Sequence, residues 1–229
     1  MSRFLIHGWA TTAQIWPAWL ATNKDYGYQS SYYPDFSHLT KEFITHYEEQ
    51  GKPLTLIGWS LGGMLSLQLA AAHPDKIKKL ILFATTPRFT SKESYTAGLA
   101  PGIIKNLSRK LSKEKWQTQL DFYQLMFSSN EYSYWESFAS QITPSLSQLE
   151  TSVLQAGLSY LLETDLRYLL PSIELPCHIL HGSNDTICPP EAALFLANSL
   201  PNAKLTLIPG AGHIPFYTQY EYCKDHLQY

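Results

Sequence analysis

One serine of this chain stands in a pattern that could support nucleophilic chemistry. The stretch GWSLG, residues 58–62, follows an apolar, β-rich run and precedes a run of good helix formers that ends at Pro74. G-x-S-x-G between a strand and a helix is typical of a nucleophile elbow, a sharp turn that exposes a serine hydroxyl at a helix N-terminus. Glycines on both sides of the serine leave room where Cβ atoms would collide. The stretch therefore predicts that Ser60 is a catalytic nucleophile.

A serine hydroxyl is a poor nucleophile unless a base accepts its proton and a third group orients that base. In chains with this elbow, the acid and then the histidine follow the serine, each after a strand. Asp185 follows the apolar run CHILHG, and His213 follows KLTLIPG in a glycine-rich turn. Because the carboxyl ends of parallel strands meet at one edge of a sheet, we predict a triad of Ser60, Asp185 and His213.

An acyl-transfer site also needs two donors for the oxyanion. One is expected to be the N–H of Leu61, directly after the nucleophile, and the other the N–H of Trp9, in the loop after the first apolar run. Trp9 and Trp59 are then expected to flank Ser60 and form an apolar slot suited to an acyl chain, unless both are core residues. Among the aromatic residues further along the chain, we assign Phe122 to substrate contact.

The other histidines and the cysteines do not form a second candidate centre. His7, His178 and His181 lie in or beside strand-like runs and are expected to pack or to bond backbone groups. Cys177, His178 and His181 alternate between sheet faces, so they do not converge on a metal. Three cysteines without CxxC spacing predict neither a disulfide framework nor a zinc site. We expect neither metal nor cofactor.

The composition describes a globular protein with a large apolar core. Of 229 residues, 45% are hydrophobic, 14% aromatic and only 16% charged, which suits one domain, with or without an inserted subdomain. A net charge of -2 gives no electrostatic reason to expect nucleic acid or an anionic membrane as partner. No apolar run resembles a signal peptide or a membrane span, so we expect a cytoplasmic protein.

Six short runs, separated by helix-length segments, predict a mostly parallel α/β sheet. The alternation stops between residue 88 and about residue 170, where the pattern reads as helical throughout. We therefore predict an α/β core in residues 1–87 and 171–229, with a helical lid inserted at 88–170 over an apolar pocket. The runs are FLIH (4–7), YQSSYY (28–33), LTLIG (54–58), KLILFA (79–84), CHILHG (177–182) and KLTLIP (204–209).

Together these motifs resemble the α/β-hydrolase superfamily. More narrowly, LIHGWA, LIGWSLGGM, HGSNDTICP, GAGHIPF and the DLR at residues 165–167 resemble the pimeloyl-acyl carrier protein methyl ester esterases of biotin synthesis, over nearly the whole chain. The resemblance implies serine-dependent removal of a methyl group from a dicarboxylyl thioester on acyl carrier protein. It also implies that no cofactor takes part.

Three features depart from that family. Its usual first strand pair has no counterpart, and its D-x-x-G-x-G turn appears as PDFSH, residues 34–38. The lid is expected to offer arginines to an acidic carrier protein, yet the DFYQLM stretch is led by Gln117 and Asp121. The first two departures change one edge of the sheet and one loop, whereas the third concerns the partner.

A basic helix face could replace those arginines. Lys105, Arg109 and Lys113 recur at intervals of four and are joined by Lys110. Such a run is either a solvated helix face or a docking surface on which charge accelerates encounter with the acidic carrier.

Two other functions fit the same residues. One is a general short-chain carboxylesterase, or a carbon–carbon bond hydrolase on this scaffold. The other is a catalytically silent small-ligand-binding protein, against which the complete triad argues, since a retired site has no reason to keep all three residue types.

Overall fold

A computed structural model describes residues 2–21, 26–27, 35–146 and 149–227. Within these ranges the chain forms one six-stranded sheet in which every neighbouring pair is parallel, in the order β2-β1-β3-β4-β5-β6. This confirms the predicted α/β class. The strands are β1 (Arg3–Ile6), β2 (Tyr26–Gly27), β3 (Leu54–Trp59), β4 (Ile77–Phe83), β5 (Cys177–Gly182) and β6 (Ala203–Ile208).

Five of the six predicted runs coincide with strands to within two residues at each end. The sixth, YQSSYY at 28–33, lies outside the described residues, and the strand that pairs with the outer side of β1 is Tyr26–Gly27. In the departing PDFSH stretch, Pro34 also lies outside them. Asp35 caps the first helix, where its Oδ1 accepts a hydrogen bond from His38 N at 3.1 Å.

Helices connect the strands and fill the long segment between β4 and β5. None of those described is long and apolar enough to cross a membrane. The α-helices are α1 (Phe36–Gln50), α2 (Leu61–Ala72), α3 (Pro101–Lys113), α4 (Lys115–Gln124), α5 (Trp135–Leu146), α6 (Thr151–Glu163), α7 (Pro190–Ser199), α8 (Pro215–Thr218) and α9 (Tyr220–Leu227). Short 3-10 turns occupy Ala13–Ile15, Pro74–Lys76, Ser129–Tyr134 and Arg167–Ser172.

The centre of the sheet is buried on both faces. All residues of β3 are buried, as expected for a parallel strand covered by helices on each side. The helix that follows, α2, packs on β3 and β4 and is apolar on nearly all its sides, since it too lies inside the molecule. The turn between β3 and α2 is therefore held by core packing.

The segment predicted as helical throughout begins without a helix. Residues 88–100 form an irregular loop with short β-bridges, Thr90 to Leu99 and Lys92 to Tyr95, and the prediction was wrong there. Within this loop Ser91 Oγ donates to Leu99 O at 3.3 Å, and Thr90 Oγ1 donates outside it to Leu162 O of α6 at 3.0 Å. These bonds hold the loop in a non-helical path.

One carboxylate ties together the two places where this long segment joins the sheet. Asp165 accepts from Arg167 Nε and Nη2 at 2.8 Å each and from Lys92 Nζ at 2.7 Å, and Arg88 lies at 3.4 Å. The hydrogen bonds from Arg167 chiefly, and that from Lys92 to a smaller extent, hold the pKa of Asp165 well below its ordinary value of 3.8. The chain leaving β4 and the chain approaching β5 therefore share one ionic cluster.

Asp165→Asn should lower the free energy of unfolding by about 1–2 kcal/mol at neutral pH, because bonds to an ionised acceptor are replaced by weaker ones. Side-chain exposure of 24% keeps the loss moderate. The folded-state pKa is depressed, so the carboxylate's contribution is present above its ordinary pKa and is lost as the pH falls through the folded-state value.

Urea unfolding of wild type and variant between about pH 3 and pH 8 measures this contribution. The difference in free energy of unfolding between wild type and Asp165→Asn should be constant above about pH 5 and should shrink in acid. Asp75→Asn, which breaks an exposed pair with Lys76, is the matched control and should change stability little. If the two substitutions changed stability equally, the Asp165 cluster would contribute no more than an ordinary exposed ion pair.

Candidate active site

The candidate nucleophile lies in a strained turn. Ser60 joins β3 to α2 with φ 55° and ψ -122°, a backbone region that non-glycine residues rarely adopt. A Cβ at position 62 would lie 2.1 Å from Ile6 O, and one at position 58 would lie 2.3 Å from Ser66 Oγ. Glycine is needed at position 62 because the start of α2 is pressed against the end of β1, and at position 58 because the first turns of α2 lie directly against the end of β3.

The backbone of this turn is fixed by the neighbouring strand. Ser60 N donates to Phe83 O at 3.0 Å, and Thr85 Oγ1, just beyond β4, donates to Ser60 O at 2.6 Å. Ser60 itself is almost completely buried, at 6% exposure. These bonds oppose relaxation of the strained angles and so preserve the direction of the side chain.

Asp185 and His213 are in contact, as the loops after β5 and β6 bring them together. His213 Nδ1 donates to Asp185 Oδ2 at 2.8 Å, and the other carboxylate oxygen accepts from the N–H groups of Ile187 and Cys188 at 2.9 Å each. Because a carboxylate only accepts, Nδ1 carries the proton and Nε2 is left as an acceptor. In the described part of the chain, this buried Nε2 has no hydrogen-bond partner, which suits a general base.

Trp59 supports the histidine instead of lining an open slot. Its Nε1 donates to His213 O at 2.8 Å, its ring packs edge-on against Phe216, and it has no exposed surface. A side chain buried in this way has no free face for a ligand. The structure therefore favours a packing and positioning role over the predicted substrate contact.

The two predicted oxyanion donors belong to adjoining stretches of backbone. Leu61 opens α2, and Trp9 follows the loop at the end of β1 against which α2 is pressed. The Trp9 indole is turned away into the helical segment, where Nε1 donates to Leu154 O at 2.8 Å. Ala10, the next residue, has φ 61°, so this loop is also held in an uncommon conformation.

An apolar cavity lies beside these residues. Phe122 of α4 meets Trp9 edge-on, with 4.7 Å between ring centroids, and also lines a cavity of about 330 Å³ between α3, α4 and the loop after β5. Exposed Ile103 and Leu125 form part of its wall. The remaining lining residues are Phe89, Leu99, Ile104, Asn106, Leu107, Lys110, Thr118, Asp121, Thr186 and Ile187.

The predicted basic face is exposed. Lys105, Arg109, Lys110 and Lys113 all lie on α3 with exposed side chains. Lys105 and Arg109 border a second surface cavity between α3 and α6, whereas Lys110 borders the apolar cavity. On α4, Gln117 donates to Asp121 at 2.7 Å, so the two residues that depart from the family pattern bond each other.

The three histidines in or beside strands have backbone or side-chain partners other than the candidate nucleophile. His7 Nδ1 lies 3.0 Å from Gly8 O, and His178 Nε2 lies 2.8 Å from Thr206 Oγ1. His181 Nε2 bonds Cys188 O at 2.7 Å, and burial lowers its pKa. Within the described ranges, no group of three or more potential ligands is arranged to hold a metal ion.

Comparison with known proteins agrees with this fold. Residues 49–220 match the model of the alpha/beta hydrolase fold. The chain belongs to the α/β-hydrolase fold family.

This α/β-hydrolase is also similar in sequence to individual proteins of known name. It is similar to proteins named pimeloyl-[acyl-carrier protein] methyl ester esterase: one from Nitrosospira multiformis is 28% identical, covering 93% of this chain and 87% of the relative. One from Nitrosomonas europaea is 33% identical, covering 76% and 70%. An esterase structure from Exiguobacterium antarcticum superimposes with a TM-score of 0.85 at 20% identity, covering 99% of this chain and 90% of the other, which bears on the fold alone.

Two residues that contact the site of this α/β-hydrolase had not been singled out in its sequence. Thr85 holds the carbonyl of Ser60, and Glu131 bonds the backbone beside His213. Thr85 carries no sequence signal. Glu131 does carry one, because Ser128-x-x-Glu131 is a capping box.

Gly157 allows α6 to pack closely on Trp9. A Cβ there would lie 2.6 Å from Trp9 Cδ1, so Gly157→Ala should destabilise the protein by about 1–3 kcal/mol through overpacking, although alanine is the better helix former. Gly102 in α3 has nothing within 4 Å of a Cβ, and Gly102→Ala should be neutral or stabilise by up to about 1 kcal/mol. Thermal unfolding distinguishes them, and equal shifts in Tm would count against the close contact.

Proposed function

We propose that this α/β-hydrolase is a serine carboxylesterase that demethylates pimeloyl-acyl carrier protein methyl ester in the cytoplasm, as part of biotin synthesis. The observation that carries the proposal is the 2.8 Å bond between His213 Nδ1 and Asp185 Oδ2, together with a serine in a strained elbow whose neighbour Trp59 bonds His213 O. The names of the relatives support the choice of substrate.

The reaction follows from the hydrogen-bonding roles of the three side chains. Ser60 Oγ attacks the ester carbonyl while His213 Nε2 takes its proton, and Asp185 stabilises the imidazolium through Nδ1. The N–H groups of Leu61 and Trp9 bind the oxyanion. His213 then protonates the departing methoxide, which leaves as methanol. Water, deprotonated by His213, attacks the acyl-enzyme and releases the carboxylic acid, which regenerates Ser60.

The 330 Å³ cavity is the proposed site of the acyl chain. Its lining is mainly aliphatic and aromatic, with few polar groups, and an unbranched methylene chain can bury its surface there. Thr186 and Ile187, in its wall, directly follow Asp185. An acyl chain in this cavity would therefore reach the immediate neighbourhood of the triad.

The exposed cations of α3 are the proposed docking surface for the carrier protein. The family resemblance implies that the partner is an acidic acyl carrier protein. Charge of opposite sign accelerates the encounter of two proteins more than it strengthens the bound complex. The stripe formed by Lys105, Arg109 and Lys113 lies on a helix that also walls the acyl cavity.

Removing the nucleophile or the orienting carboxylate should stop turnover without unfolding the protein. Ser60→Ala should abolish hydrolysis of pimeloyl-acyl carrier protein methyl ester and of a p-nitrophenyl ester, and also labelling by a fluorophosphonate. Asp185→Asn should lower kcat by about 10⁴-fold, because the amide favours the wrong histidine tautomer. Near wild-type rates in either variant would refute the triad. Activity on the simple ester alone would retain the triad and discard the biotin-pathway substrate.

Neutralising the α3 stripe should affect only the carrier-bound substrate. With Lys105, Arg109 and Lys113 changed to Gln, kcat/KM for the carrier-bound ester should fall about tenfold at low salt, and added salt should reduce the difference. The p-nitrophenyl ester should be hydrolysed at the wild-type rate. Changing the exposed lysines Lys41, Lys52 and Lys224 to Gln removes the same charge elsewhere and serves as control. If both triple variants behave alike, the stripe is only a solvated face.

A further inference from the structure

A carboxylate from the helical segment is buried against the loop that carries His213. Glu131, in the 3-10 turn Ser129–Tyr134, is 1% exposed. Its Oε2 accepts from Gly212 N at 2.7 Å and from Ser128 N at 3.0 Å, and Oε1 accepts from the Thr218 hydroxyl. Three neutral donors thus surround it, and no cation in the described ranges forms an ion pair with it. Burying such a charge is costly unless each bond is well made.

Two more bonds link the same segment to the same loop. Met126 O accepts from His213 N at 2.8 Å, and Ser128 Oγ donates to Gly210 O at 2.6 Å. A Cβ at position 212 would lie 2.5 Å from Met126 O, so the two backbones are in direct contact. Residues 126–131 therefore bond the backbone on the N-terminal side of the His213 imidazole at three successive points.

The rest of the molecule holds His213 at two other atoms. Asp185 accepts from its Nδ1, and Trp59 donates to its carbonyl. Neither bond fixes the Ala211–Gly212 peptide, whose N–H is the group that Glu131 binds. The course of the backbone as it enters His213 depends on that peptide and on the next one, whose N–H donates to Met126 O.

A capping function explains only part of these contacts. In the capping box, Glu131 needs only the N–H of Ser128. The bonds to Gly212 and Thr218 cross 81 and 87 residues of sequence and add nothing to the turn itself. They do fix both ends of the short stretch that holds His213.

We propose that Glu131 is a positioning residue for His213. The inference rests on the proposed function, in which His213 is the general base. The carboxylate fixes the Ala211–Gly212 peptide, next to the peptide that Met126 O holds, so that Nε2 is held at the distance and angle at which it takes the Ser60 proton. Small displacements of such groups are costly in rate, up to about 100-fold for 1 Å.

Three substitutions separate position from charge and from folding. Glu131→Gln keeps the length and an acceptor oxygen for Gly212 N, and its NH₂ can donate to the Thr218 hydroxyl. Glu131→Asp keeps the charge but is one methylene too short to reach Gly212 N. Glu131→Ala removes all three bonds. Glu136→Ala, at an exposed position of the following helix α5, is the control.

With p-nitrophenyl ester as substrate, well below the melting temperature of each variant, Gln should retain kcat within about threefold of wild type. Asp and Ala should lose about 10- to 100-fold in kcat, with KM changed less than about threefold. Glu136→Ala should match wild type. A purely structural role would lower Tm in the Asp and Ala variants and leave kcat unchanged, and that result would overturn the proposal. A loss in Gln as large as in Ala would overturn it too, since charge rather than position would then matter.

A second readout needs no substrate. The proton between His213 Nδ1 and Asp185 should give a low-field ¹H NMR resonance, identified by its absence in His213→Gln. It should persist in Glu131→Gln and be shifted or broadened in Glu131→Asp. An unchanged resonance in Glu131→Asp contradicts the positioning role even if wild type hydrolyses no ester. Inactive wild type with the expected NMR changes would instead refute the proposed function and keep the positioning of His213.

Discussion

The contact between the start of α2 and the end of β1 is the constraint on which the candidate site depends. With only 2.1 Å between an added Cβ at Gly62 and Ile6 O, the helix can start there only if the preceding residue turns through unusual angles. Ser60 takes those angles, and bonds from β4 and Thr85 keep them. The direction of the hydroxyl is thus a consequence of core packing, and the loop that carries Trp9, the proposed oxyanion donor, lies on the other side of the same contact.

The histidine is held in a different way. Its imidazole is oriented by Asp185, in the loop after β5. The backbone at and before His213 is bonded by the helical segment between β4 and β5. The two ends of that segment are joined to each other through the Asp165 cluster. The helical segment therefore does more than cover the site, because its hydrogen bonds help to fix the backbone position of His213.

The sequence predicted the strands well, and the pairing of Asp185 with His213 as well, for a physical reason. Buried parallel strands are continuous apolar runs, and the groups at their ends follow motifs of fixed spacing. It failed where partners are remote. Trp59 was predicted to contact substrate because its neighbour in sequence is Ser60, whereas its bond to His213 O depends on how the fold brings β3 and the loop after β6 together. Thr85 and Glu131 likewise bond backbone that is distant in sequence. The loop at 88–100 was mistaken for helix because its hydroxyl bonds cannot be read from periodicity.

Trp59 joins three stretches of chain that are far apart in sequence. It precedes Ser60, its ring lies 2.8 Å from where a Cβ of Gly8 would be, and its N–H holds the carbonyl of His213. A single rigid indole therefore connects the candidate nucleophile, the loop of the proposed oxyanion donor and the candidate base, so we expect their displacements to be correlated. Displacements that move all three together leave their mutual distances intact, so the site can tolerate breathing of the whole sheet edge that would be disruptive if each loop moved alone.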